Sequence, residues 1–304
     1  MNAAHPTISR RHLVQGAAVG AGAIALAGCA PDHFVAGDVN AARVRSVPDD
    51  DPDHRRWNRV PELEVELGPQ NIALPLQQDP AVRALRVKAL HDGERVAFRL
   101  EWDDADVDES TTRVDDFRDA CAILLASGPA VQDIRTMGTA NTPATLLHWK
   151  ADWQRDVDHG RQGVTEAYPN LSIDVYPPLW DVVPTEVDLE SYEENDATVW
   201  VPGAHVENPM SVGGRTTPVE KAIAYGFSTT TTGREQNARG RGVRTDGGWR
   251  VVMSKPLDGL DDGEVRLDPR TQAACAFAVW SGAAHDAGSR KAPSIEVYSL
   301  VLER

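Results

Sequence analysis

Apolar and polar positions along this chain alternate as they do in strands. Leu63-Glu-Val-Glu-Leu67 has the period of two expected of a half-buried strand. Apolar runs at 85–90 and 96–102 flank His91-Asp-Gly-Glu94, and an Asp-Gly between two alternating runs predicts a hairpin. A second hairpin is predicted over 239–256, turning at Thr245-Asp-Gly-Gly248. Further strands are predicted at 120–126, 145–153, 197–201, 248–254, 274–280 and 294–302. Helical periodicity is nearly absent. One short helix is predicted at 218–225, with Pro218 at its start and Gly226 just beyond its end. Many short strands separated by turn signals imply an all-β fold, mainly an antiparallel β-sandwich, with a few short helices and long loops. The acidic stretch 155–195 is longer than an ordinary connection and is expected to serve a function or face a partner.

The first sixty residues break the pattern. Ser9-Arg-Arg-His-Leu-Val14 reads as a twin-arginine export signal, and the apolar run 17–27 after it is too short to span a bilayer. That run ends in Leu26-Ala-Gly-Cys29, a lipoprotein-type cleavage box. Residues 1–29 are therefore expected to be a signal peptide, with Cys29 lipidated as the mature N-terminus. An ordinary signal peptide in which Cys29 has no role is the alternative. Residues 30–60, rich in Asp, Pro and Arg without periodicity, predict a disordered tether, which leaves 61–304 as the folded domain. The expected location is periplasmic or otherwise extracytoplasmic, at a membrane surface held through lipid.

Charge narrows the partners. The 304 residues carry 31 basic and 46 acidic side chains, a net of −15. That excludes a nucleic-acid binder, which needs a basic face. Lysine occurs only at 88, 150, 221, 255 and 291, so any task that needs an amine falls on one of five residues. There is no C-x-x-C, hence no cysteine-rich zinc or iron–sulfur site and no C-x-x-C-H for covalent haem. Cys121 and Cys275 lie in apolar strand-like runs, and two buried thiols or one inter-sheet disulfide are both open.

Hydrolytic chemistry is absent: there is no G-x-S-x-G, H-E-x-x-H, P-loop or dinucleotide fingerprint. Gly240-x-Gly-x-x-Thr245 sits inside a hairpin and is not one. The acidic run 103–109 has the carboxylates for calcium but lacks the glycine and distal glutamate of an EF-hand, so a solvated turn is expected. Met137-Gly138 is more informative. Methionine is usually core filler. Here it stands in a polar loop before a segment carrying His148, Trp149 and Trp153, with no apolar period to bury it. A thioether so placed suits a soft metal or a haem edge. Lys221 is the companion expected for it. An amine binds iron only when neutral, so its ordinary pKa of about 10.4 must be driven down, which arginine does not allow. A surface lysine is the bland alternative. His148, Trp149 and Trp153 are expected to be pocket wall or core.

Several pieces together resemble the haem-b-binding gamma subunits of ethylbenzene dehydrogenase, dimethylsulfide dehydrogenase and the selenate and chlorate reductases. They are Val96-Ala-Phe-Arg-Leu-Glu-Trp-Asp-Asp104, Phe117-Arg-Asp-Ala120, Met137-Gly138, His148-Trp-Lys-Ala-Asp-Trp153, Pro218-Val-Glu220, Tyr225-Gly-Phe227 and Asp246-Gly-Gly-Trp-Arg-Val-Val252. The resemblance implies a β-sandwich around one non-covalent haem b, its iron held by a methionine and a lysine that fall on Met137 and Lys221. It implies an electron-transfer subunit without substrate chemistry of its own. Its partners would be a molybdopterin catalytic subunit, an iron–sulfur subunit and a c-type cytochrome or other redox carrier. The rival reading is a carbohydrate- or ligand-binding β-sandwich lipoprotein in which the eight tryptophans form a platform. A third is a scaffold that has lost its haem.

Overall fold

The computed structural model describes residues 35–170 and 214–304, with positions 203, 206, 208 and 211 between them. The twin-arginine segment, Cys29 and the strand expected at 197–201 lie outside the described residues, as does most of the long loop.

The strands are β1 (Val35–Arg43), β2 (Leu63–Glu66), β3 (Ala84–His91), β4 (Arg95–Asp103), β5 (Ala120–Ser127), β6 (Ala144–Lys150) and β7 (Val219–Ala224). They continue with β8 (Thr231–Thr232), β9 (Arg239–Thr245), β10 (Gly248–Pro256), β11 (Ala273–Trp280), β12 (Ala292–Pro293) and β13 (Val297–Leu302). Two short helices, α1 (Ala151–His159) and α2 (Val164–Ala167), follow β6. The all-β expectation holds. The strands run β8-β7-β6-β5-β11-β13-β1-β3-β4-β10-β9, with β12 on β11 and β2 on β3. Both predicted hairpins form, as β3–β4 and β9–β10.

This sheet folds back on itself, so strands from its two ends share one core. Phe98, Leu100 and Trp102 of β4 and Val251 and Met253 of β10 pack with Ile123 and Leu125 of β5 and Phe277 of β11. At the far end, Trp149 of β6 meets Trp249 of β10 with ring centroids 5.0 Å apart. The Gly240-x-Gly242 pair serves this approach: a Cβ on Gly242 would lie 2.3 Å from the Trp149 ring. The six tryptophans among the described residues are all buried, so they form no exposed platform.

Three expectations need correction. Residues 218–225 are not a helix but β7, all six positions buried, paired to β6 and β8. The helix-forming Glu, Lys and Ala there are overridden by a slot that accepts only an extended chain. The strand expected to run to residue 153 ends at Lys150, and α1 takes over. The tether expected over 30–60 holds β1, which runs parallel to both β13 and β3, and Trp57, which is fully buried. The boundary at 61 therefore cuts through the sheet. Of the two alternatives left open for the cysteines, the register selects one: Cys121 stands opposite Val279 while Cys275 stands opposite Leu125, four rungs away. At about 3.3 Å per residue that exceeds disulfide reach, and both thiols are free and buried. The acidic run after β4 has no metal-holding arrangement: no group of three or more His, Cys, Asp or Glu among the described residues could hold an ion.

Candidate cofactor site

Strands β5 and β11 are apolar on both faces, so both faces need a cover. Cys121, Ile123, Leu125, Cys275, Phe277 and Val279 enter the main core. The alternate positions are mostly alanines: 120, 122 and 126 on β5 and 274, 276 and 278 on β11. Small side chains leave a flat wall with room in front of it. A cavity of about 830 Å³ lies there, bounded also by Leu124, Leu146, His148 and Trp280. That volume is in the range of cofactor pockets, about 300–1,000 Å³.

Met137 enters this space from the end of a 3-10 helix, Gly128–Thr136, whose Ala130, Val131 and Ile134 pack on the same wall. Its backbone is left-handed, with φ 62°, a conformation that costs a residue with a side chain roughly 1–2 kcal/mol. Hydrogen bonds hold it there. The Met137 N–H donates to Ile134 O at 3.0 Å, and Gly226 N donates to Met137 O at 3.1 Å. Gly138 follows at φ 79°, and a Cβ on it would lie 2.8 Å from both Ala144 N and Ala224 O. Glycine is required because the loop presses onto the backbones of β6 and β7.

Facing Met137 is a lysine, but it is Lys291. Its Nζ lies 4.0 Å from Met137 Sδ and 5.3 Å from the centroid of the Trp280 ring. Among the described residues no carboxylate pairs with it. Burial among apolar groups pushes its pKa down to about 8. His148 lies against the same wall, its ring stacked on Trp280 at 4.7 Å. Its Nε2 has no hydrogen-bond partner. Burial, and then Lys150, Arg118 and Lys291, hold it well below the usual histidine range, so the ring is neutral.

Lys221 is elsewhere. Ala222 and Ala224 of β7 belong to the cavity-side cluster, and the alternation of a strand turns Lys221 to the opposite face. There its Nζ lies 2.6 Å from Glu264 Oε2 and 3.2 Å from Asp261, while Lys255 reaches the other Glu264 oxygen at 3.3 Å. The geometry thus brings Met137 together with Lys291 and not with Lys221. A helix at 218–225 would have left that face undecided, whereas a strand fixes it. Trp149 is core, as expected. Trp153 is buried on α1 between two cations, Lys150 at 3.9 Å and Arg215 at 3.8 Å from its ring centre. Lys291 carried one sequence signal, membership of the five lysines. The alternating alanines of β5 and β11 were a second signal, for the wall itself.

The ethylbenzene dehydrogenase family model matches residues 54–292. The chain belongs to that family. Among its relatives, a Haloferax mediterranei protein named as a candidate respiratory nitrate reductase heme subunit, ORF7, is 22% identical over 89% of this chain and 76% of its own length. The chlorate reductase gamma subunit of Ideonella dechloratans is 23% identical over 85% and 83%. The dimethylsulfide dehydrogenase gamma subunit of Rhodovulum sulfidophilum is 27% identical over 77% and 68%. A family 9 carbohydrate binding module from Caldicellulosiruptor kristjanssonii, solved with glucose, overlaps at a TM-score of 0.37 with 10% identity, covering 88% of this chain and 95% of that one. So loose an overlap carries no argument about a ligand.

Proposed function

We propose that this chain is the haem b electron-transfer subunit of a molybdenum/iron–sulfur oxidoreductase complex, in which Met137 and Lys291 would hold the haem iron. The observation that carries the reading is the thioether and the amine 4.0 Å apart at the alanine-walled cavity. Metal–nitrogen and metal–sulfur bonds run at about 2.0–2.3 Å, so the two side chains are close enough that both would reach one metal ion between them. Lys291 takes the place expected of Lys221. Its lowered pKa reduces the cost of the neutral amine that a metal requires.

A haem bound there supplies a one-electron couple, which a thioether ligand tunes toward a higher potential. The chain's own residues do the rest. Met137 and Lys291 would hold the iron and keep other ligands from it, the alanines would leave a flat wall for the ring, and Trp280 with neutral His148 would form an uncharged side wall. With no C-x-x-C-H in the chain, the cofactor is held without covalent bonds. The relatives' names, a heme subunit and two gamma subunits of a reductase and a dehydrogenase, support a non-catalytic role beside a molybdopterin subunit and an iron–sulfur subunit. A c-type cytochrome or similar carrier is the outside partner. Ser9-Arg-Arg-His-Leu-Val14 and Leu26-Ala-Gly-Cys29 support twin-arginine export and lipid anchoring through Cys29.

The test is the absorption and electron-resonance spectrum of the protein purified from its native host. A low-spin b-type haem is expected in the wild type. Met137→Ala and Lys291→Ala should each convert it to a high-spin form, and Lys221→Ala should leave it low-spin. Low-spin spectra in both of the first two variants would refute the ligand pair; absence of haem from the wild type would refute the function. The same preparation, taken from the membrane fraction, should yield an N-terminal peptide with lipid mass on Cys29; an unmodified N-terminus would refute the anchor.

A further inference from the structure

Lys291 stands at a poorly supported place in the sheet. It closes an eleven-residue turn, 281–291, between β11 and β12, and β12 contributes only two pairs, Ala278↔Pro293 and Val279↔Ala292. Such a short strand alone does not fix where the preceding side chain points. The turn is pinned from outside by a second loop, 68–79. The neck of that loop is closed by reciprocal backbone bonds between Gln70 and Gln77, at 2.7 and 2.9 Å. Side-chain bonds then join it to the turn. Gln77 Nε2 donates to Asp286 Oδ1 and Gln70 Nε2 to Ser289 O, at 2.5 and 2.9 Å. Ser289 Oγ donates to Leu74 O at 2.6 Å, and Arg290 Nη1 donates to Leu76 O at 2.9 Å.

Asp286 is the centre of this arrangement. It is 3% exposed and also accepts from Ser281 N at 3.3 Å, at the start of the turn, while Arg290 Nε lies 3.3 Å from it at the other end. Gln77, its partner across the loops, is 1% exposed. A buried carboxylate–amide pair tying two surface loops is costly to desolvate, and the fold gains little core from it. Both loops line the cavity, through Gln70, Ile72 and Ala73 on one and Gly288, Ser289 and Lys291 on the other.

We infer that Asp286 and Gln77 are positioning residues for Lys291: the 68–79 loop is a latch that holds the lysine at the iron. The inference rests on the haem reading above. Partners that orient a metal ligand typically change affinity by roughly 10- to 100-fold when removed, and that is the size of effect expected here.

The experiment compares wild type, Asp286→Ala, Asp286→Asn and Gln77→Leu as purified holoprotein at equal haem content. Carbon monoxide uptake by the reduced protein reports how often the iron loses an axial ligand. Asp286→Ala and Gln77→Leu should raise that rate roughly 10- to 100-fold and add a high-spin component at rest. Asp286→Asn, whose single amide oxygen still accepts from Gln77 Nε2, should restore most of the wild-type behaviour. Unchanged spectra and unchanged uptake in Asp286→Ala overturn the latch. Should that variant not fold, Ser289→Ala, which deletes one exposed bond, should raise the rate by a smaller factor, and an unchanged rate there overturns it equally. A wild type without low-spin haem refutes the haem reading instead. In that case amide exchange in the haem-free chain decides the latch: the Arg290 amide, bonded to Ala287 O, should exchange faster in Asp286→Ala, and equal exchange overturns it.

Discussion

Lys221 and Lys291 are both amines taken out of water, and their neighbours give them opposite roles. Lys221 lies within 3.2 Å of two carboxylates, which compensate its charge. Removing it would leave the buried Glu264 carboxylate with Lys255 as its one remaining cation among the described residues, and breaking a buried pair costs roughly 3–5 kcal/mol. Lys291 faces a sulfur and an indole, neither of which stabilises an ammonium as a carboxylate does. Asp119 is a third buried charge with a consequence of its own. It accepts from Trp249 Nε1 and Gly282 N, both at 2.9 Å, and ties β5 to β10 and to the turn after β11. Burial nonetheless raises its pKa from 3.8 to about 6. The folded state then binds the proton more tightly than the unfolded chain. Stability is therefore fully present below pH 3.8 and is lost as pH rises to about 6, by at most about 3 kcal/mol. Denaturant midpoints measured from pH 4 to 7 should fall more steeply over this window in the wild type than in Asp119→Asn; parallel profiles would contradict the shift.

At the level of elements, the cavity exists because two neighbouring strands carry alanine on one face. On β11 the inward positions are Cys275, Phe277 and Val279, and the outward ones Ala274, Ala276 and Ala278. A leucine at 276 would project into free space rather than into packed atoms. Ala276→Leu should leave the haem-free fold intact, or stabilise it by up to about 2 kcal/mol at roughly 0.8 kcal/mol per added methylene. It should also abolish stoichiometric haem uptake in a titration. Full uptake with a normal spectrum would mean that the wall is not the haem's seat. The loop opposite follows a similar logic. Met137 is forced into a left-handed conformation, and the Gly138 after it fits against β6 and β7 only because it has no side chain. The Met-Gly pair could be found in the sequence; why glycine follows methionine could not, since the reason is a backbone contact with strands that arrive later in the chain.

For the whole molecule, β1 decides how much of the chain is the domain. Ala41 is fully buried and pairs with Leu302 on one side and Ala89 on the other. It thus joins the C-terminal strand to the first hairpin. Removing it would leave β13 and β3 each with an open edge in the middle of the sheet. A chain begun at residue 61 should therefore aggregate or unfold at 25 °C, while one begun at residue 34 should show a single cooperative transition by circular dichroism. Cooperative folding of the shorter chain would show β1 to be dispensable. The period of two could not reveal β1, because Val35–Arg43 mixes Gly, Asp, Asn and Arg into a strand that is central by topology rather than by composition.

The sequence by itself determined the class of the fold, the two hairpins, most strand positions and the Met-Gly loop, because each follows from local alternation and turn chemistry. It also confined any amine ligand to five lysines. Tertiary structure alone decided which lysine meets the methionine. In β7 a single step along the chain moves a side chain from the cavity face to the core face, so Lys221 and its neighbours Glu220 and Ala222 differ in side by parity. Lys291 is 154 residues from Met137 and comes within 4.0 Å of it only when the strands between them have paired. Such a contact leaves no periodic trace, because its two halves belong to elements whose adjacency is fixed by the sheet order.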